Sequence, residues 1–169
     1  MFEYCSCLTL PPELPATKLE NYCYAGMFAD CTSLTSAPIL SATDLNKACY
    51  FAMFYGCTKL TTAPILPATD LSVACYEYMF SSCTSLTEAP ELPARILKEN
   101  SYREMFNNCS KLNSITMLAT DVSGINCLTN WVKGVSSVGK FTKSEEMESL
   151  TIGNNGIPAG WTIKNYGEK

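Results

Sequence analysis

The pair Met-Phe returns at Met1-Phe2, Met27-Phe28, Met53-Phe54, Met79-Phe80 and Met105-Phe106, each copy 26 residues after the last. A fixed period between about 20 and 50 residues marks a stacked array, in which each unit buries its apolar face only against its neighbours. Other rows keep the same frame: Cys5, Cys31, Cys57, Cys83 and Cys109; Leu8, Leu34, Leu60, Leu86 and Leu112; Leu14, Leu40, Leu66, Leu92 and Leu118. A second set holds Leu19, Leu45, Leu71 and Leu97, then Cys23, Cys49, Cys75 and Cys127 with Ser101 as the one substitution, then Tyr24, Tyr50, Tyr76 and Tyr102.

Spacing within a unit divides it in two. In the unit from Met53, Cys57, Leu60, Ala63 and Leu66 fall three apart, which reads as a short strand flanked by extended chain. Pro64, like Pro12, Pro38 and Pro90, has no N–H to give a ladder and keeps that strand short. After Thr69, a good N-cap, come Leu71, Cys75 and Met79 at i, i+4, i+8 with Tyr76 and Phe80 beside them, a helical pattern. Thr17 and Glu20 offer a capping box, and Gly56 sits where a left-handed residue ends a helix. The expected fold is an α/β repeat: a right-handed solenoid with parallel strands on the concave side, helices on the convex side and a C-terminal cap. Its units span 1–26, 27–52, 53–78, 79–104 and 105–130, with a half unit at 131–143, where Trp131-Val132 replace Met-Phe and Val135, Val138 and Phe141 take the Cys, Leu and Ala rows. Residues 144–169 leave the period and read as the cap, with Trp161 and Ile163 covering the last layer.

The string Met-Phe-Tyr-Gly-Cys-Thr-Lys-Leu-Thr at 53–61, with its copies at 27, 79 and 105, resembles the Phe-x-x-Cys-x-x-Leu-Thr core of BspA-type leucine-rich repeats. The tail from Asn130-Trp131 to Gly160-Trp161-Thr162 is similar to endings attached to such arrays. The resemblance implies a leucine-rich-repeat protein of the surface of anaerobic gut or oral bacteria, or secreted by them, engaged in adhesion to proteins or glycans. Related repeats in phage proteins keep a virion origin open. The Ala-Pro-x-Leu-Pro-Ala-Thr segment and the longer period depart from the family's commonest units.

Composition limits the chemistry. A net charge of −4 with scattered Lys and Arg lacks the basic footprint of a nucleic-acid binder, and no stretch is apolar enough for a membrane span. The chain contains no His, no glycine-rich phosphate loop and no clustered carboxylates, so neither a catalytic centre nor a cofactor or metal site is expected. Nine of the ten cysteines fall in two repeat rows and read as buried free thiols; on a helix Cys23 and Cys31 would stand about 12 Å apart, beyond disulfide reach. Cys7 alone falls in an otherwise polar row and is expected to be exposed. The chain starts in mid-unit without a signal peptide, which suggests a piece of a longer array, though a native start at this Met remains open, and it leaves an uncapped end through which copies could associate.

Function then falls to positions that vary between units. With Leu60 and Ala63 inward, the expected ligand strip is Thr35, Ser36, Lys59, Thr61, Thr62, Thr87, Glu88, Lys111 and Asn113. A protein or glycan ligand fits such a strip, and Thr ladders that merely stabilise the sheet are the competing reading. Tyr24, Tyr50, Tyr76 and Tyr102 form either a sugar-stacking outer row or packing beside the Phe row. A non-catalytic adhesion module is the leading expectation, and a structural spacer of a surface or virion protein is the alternative.

Overall fold

The computed structural model describes residues 1–148 and 150–168. Among these there is no helix, and the regular strands are three: β1 (Ser114–Met117), β2 (Lys140–Lys143) and β3 (Thr162–Asn165). They form one parallel sheet in the order β1-β2-β3. The chain is therefore not an α/β leucine-rich-repeat solenoid with helices on a convex side.

The segments expected to be helical are ladders of tight turns. In the first coil the odd residues Cys23, Ala25, Met27, Ala29 and Cys31 donate their N–H three residues back, to Glu20, Tyr22, Tyr24, Gly26 and Phe28. The even residues between them donate across to the next coil: Tyr22 to Lys47, Tyr24 to Cys49, Gly26 to Phe51, Phe28 to Met53 and Asp30 to Tyr55, at 2.6–2.9 Å. The same alternation repeats in later coils, as in Tyr76 to Ser101, Tyr78 to Arg103 and Phe80 to Met105. An α-helix keeps its N–H bonds within itself, whereas half of these tie one coil to the next.

This geometry repeats every four residues. Every fourth residue has positive φ, as at Tyr22, Gly26 and Asp30, or Ala74, Tyr78 and Ser82, each the third residue of a turn where a type II turn requires it. Side chains consequently alternate two in and two out. Cys75, Tyr76, Met79, Phe80 and Cys83 are buried as a set, with no drift between the first and the last. A helix with the same spacing would rotate about 40° per four residues and carry the last of them away from the core.

Stacking the coils aligns the repeated side chains. Phe2, Phe28, Phe54, Phe80 and Phe106 form a continuous ring stack with centroids 5.6–5.7 Å apart. Tyr24, Tyr50, Tyr76 and Tyr102 form a second at 5.8–6.2 Å, and the last three are buried, so this row offers no surface for sugars. The Cys row has a specific role: Cys31, Cys57, Cys83 and Cys109 donate S–H bonds of 3.0–3.1 Å to the carbonyls of Phe2, Phe28, Phe54 and Phe80 in the preceding coil. A small apolar side chain with a weak donor meets both needs of that position.

Proline decides where strands form. Where Pro38, Pro64 and Pro90 remove an N–H, neighbouring coils form no regular strand and meet through isolated bridges and single backbone bonds, such as Ser36 to Thr62 and Thr61 to Thr35. In the fifth coil Ile115-Thr116 replaces Ala-Pro, and β1 forms there. This stretch is also a residue shorter between inward positions: Leu92 pairs with Met117, which is fully buried, while Leu118 leaves the Leu row. Beyond it, β3 pairs with β2 at an offset of 22 residues, so the C-terminal segment adds a shorter layer to the same sheet. Trp131 and Trp161 fasten that layer with indole N–H bonds to the carbonyls of Gly156 (2.8 Å) and Ser136 (2.7 Å). Trp161 is buried, but Ile163 is 45% exposed on the edge strand and covers nothing; Val138, expected in the Leu row, is also exposed.

Candidate functional site

The expected strip lies on the surface. Thr35, Lys59, Thr61, Thr62, Thr87, Glu88, Lys111 and Asn113 are exposed, and Ser36 is half-buried. Parallel bridges from Ser36 to Thr62 and from Glu88 to Ser114 carry it from coil to coil, along with backbone bonds from Thr35 to Thr9, Thr61 to Thr35 and Asn113 to Thr87. Thr61, Thr62, Thr87 and Glu88 line one depression of about 220 Å³, floored by Ala63, Ala89 and Pro90. Thr35, Ser36, Lys59, Lys111 and Asn113 stand outside its wall.

Two of the threonines have a structural use. The Thr35 and Thr61 hydroxyls each donate to the carbonyl one coil back, Thr9 and Thr35 respectively, at 3.3 Å. Their donor capacity is taken, and only lone pairs face solvent. Thr62, Thr87 and Glu88 make no side-chain bond within the described residues and present their polar atoms outward.

Other surfaces were not legible in the repeat. A depression of about 570 Å³ runs along Pro11, Pro12, Pro15 and Pro38 at the first two coils beside the exposed Ile39. On the turn-ladder face, Tyr4, Phe51 and Tyr55 wall a depression of about 330 Å³ floored by Ala25, Gly26, Ala29 and Ala52, with Glu3 and Asp30 on its rim. Its signal in the sequence is a pair of aromatic residues at outward positions beside a run of Ala and Gly, hidden as long as the segment reads as a helix.

The thiols divide by depth. Cys5, Cys7 and Cys23 are exposed, and the other seven are buried and unpaired. Burial pushes the Cys49 thiol up to about 11 and those of Cys57 and Cys109 up to about 12. Such groups stay protonated and unreactive at neutral pH. Cys5 and Cys23 belong to core rows and are exposed because they sit in the first coil. No helix is long and apolar enough to cross a membrane, and among the described residues no group of three or more Cys, Asp or Glu is placed to hold a metal ion. Comparison with known proteins finds no matching family model, no matching curated protein and no matching solved structure.

Proposed function

We propose that the chain is a non-catalytic binding or adhesion module of a bacterial cell-surface or secreted protein, taking a protein or glycan ligand on the strip around Thr62, Thr87 and Glu88. The observation that carries this is the contrast within each coil. Core rows of Phe, Met, Leu and Cys repeat nearly unchanged, while exposed or half-buried outward positions run Ser33, Lys59, Ser85, Lys111 and Ser36, Thr62, Glu88, Ser114. A rigid stack holds those changing side chains about 5 Å apart in a fixed order, which suits an extended ligand. Resemblance of the Met-Phe-x-x-Cys-x-x-Leu unit to BspA-type repeats supports the surface assignment. A screen of the chain against glycans and host surface proteins tests it. A ligand whose affinity falls about fivefold or more in Thr62→Ala/Glu88→Ala supports the reading, and a ligand indifferent to every strip substitution overturns it.

The second reading is a spacer of a surface or virion protein. It is favoured by the unbroken Phe stack and by coil-to-coil hydrogen bonding along the array, which make a stiff rod. A negative screen together with a high unfolding force in single-molecule pulling would favour it.

A further inference from the structure

The turn-ladder face is built alike in every coil, yet it is filled in one place and open in another. In the third and fourth coils the Arg103 guanidinium lies 5.7 Å over the Tyr78 ring and pairs with the Glu77 carboxylate at 3.0 Å. Tyr78 in turn donates to Glu104 at 3.3 Å. In the first two coils the matching positions are Ala25, Gly26, Phe51 and Ala52: small residues stand where Glu77, Tyr78 and Glu104 are, Phe51 stands where Arg103 is, and a depression of about 330 Å³ is left. Phe51 connects the two: it walls the open groove and meets the Tyr78 ring edge-on at 5.6 Å.

The open groove lacks that cluster, but residues at other positions of the coil give its lining the same kinds of group, aromatic rings and carboxylates, with no Lys or Arg among them. Tyr4, Phe51 and Tyr55 supply aromatic surface, and Glu3 and Asp30 supply carboxylates. Neither carboxylate forms an ion pair among the described residues. Aromatic faces attract a cation through their quadrupole, and a guanidinium adds planar stacking and a fork of donors for carboxylates. The chain's net charge of −4 favours approach of a basic partner.

We propose that this groove is a binding site for the arginine side chain of a basic peptide or protein segment, held between Tyr4, Phe51 and Tyr55 and paired with Asp30 and Glu3. The site lies apart from the strip around Thr62 and Glu88 and does not depend on it.

The test is titration of the full chain at low salt with a short acetylated Gly-Arg-Gly-Arg-Gly amide, read by NMR shifts of the aromatic ring protons. Saturable shifts confined to Tyr4, Phe51, Tyr55 and their neighbours are expected, together with about fivefold weaker binding in Asp30→Asn and in Tyr55→Ala. Ala25→Arg, which places an arginine in register with Arg103, should abolish binding while the fold is kept, as judged by unchanged shifts of Phe80 and Phe106. Thr62→Ala/Glu88→Ala should leave binding unchanged. The proposal is overturned if the peptide moves no ring resonance, if Asp30→Asn binds as well as the parent, or if a neutral oligosaccharide produces the same shifts independently of Asp30.

Discussion

At the residue scale, the unusual demand is for left-handed backbone at side chains other than glycine. Ala48, Ala52, Ala74, Tyr78, Asn100 and Glu104 all have φ between 51° and 59°. Each such residue costs roughly 1–2 kcal/mol in isolation, and its N–H bond to the next coil holds it there. Gly56, with φ of 69°, meets a further constraint, because a β-carbon would run into the Asp30 carboxylate of the preceding coil; Gly26 has open space. Gly56→Ala should therefore destabilise by about 2 kcal/mol or more and Gly26→Ala by about 1, read from urea midpoints, and equal losses would remove the steric argument. Ser101 stands in the Cys row, fully buried, with a hydroxyl that bonds nothing. Ser101→Cys should stabilise by about 1 kcal/mol, since a thiol tolerates that site better than an unsatisfied hydroxyl. The buried thiols also set an alkaline limit. Their folded values lie above the unfolded one, so the folded state holds more protons there: stability is full below about pH 8.5 and falls as pH rises toward 11–12. Urea midpoints should match at about pH 6 and 8 and drop by about pH 10, and replacing Cys57 and Cys83 with Ala should flatten the drop.

At the element scale, a helix and a turn ladder share the i, i+4 spacing of Leu71, Cys75 and Met79, so three copies do not separate the commoner element from the rarer one. What separates them is the fourth copy: Cys83 continues the row at i+12 and is still buried, where a helix would have turned about 120° away. Outward turn positions were a second signal, because Asp30, Gly56, Ser82, Asn108 and Gly134 recur at one place in the period, and these residue types favour left-handed turns. Far-ultraviolet circular dichroism should show no helical double minimum. A spectrum dominated by helix would overturn the ladder. Proline gave the better-read element, since the interruption expected at Pro38, Pro64 and Pro90 is where bridges stand in place of a strand.

Over the whole molecule, layers depend on their neighbours, and stability is close to a sum of coil and interface contributions. Phe54 is stacked on both sides, and Phe2 only on Phe28. Phe54→Ala should cost about 3–5 kcal/mol and Phe2→Ala about a third of that, by denaturant unfolding. In the monomer, hydrogen exchange should be far faster in residues 1–26, where Cys5 and Cys23 are exposed, than in 53–78, and equal protection would show the first coil to be covered. By itself the sequence determined the period, the rows that share the core, the prolines that break the ladder, the depth of most thiols and the exposure of the strip. Each of these follows from residue type repeated at a fixed interval, a local property that needs no knowledge of partners. Tertiary structure decided the rest. Half the N–H bonds of the turn ladder exist only because another coil lies alongside, so no single unit could declare it; the shift that buries Met117 instead of Leu118, and the open groove beside Phe51, likewise arise from what the adjacent coil presents.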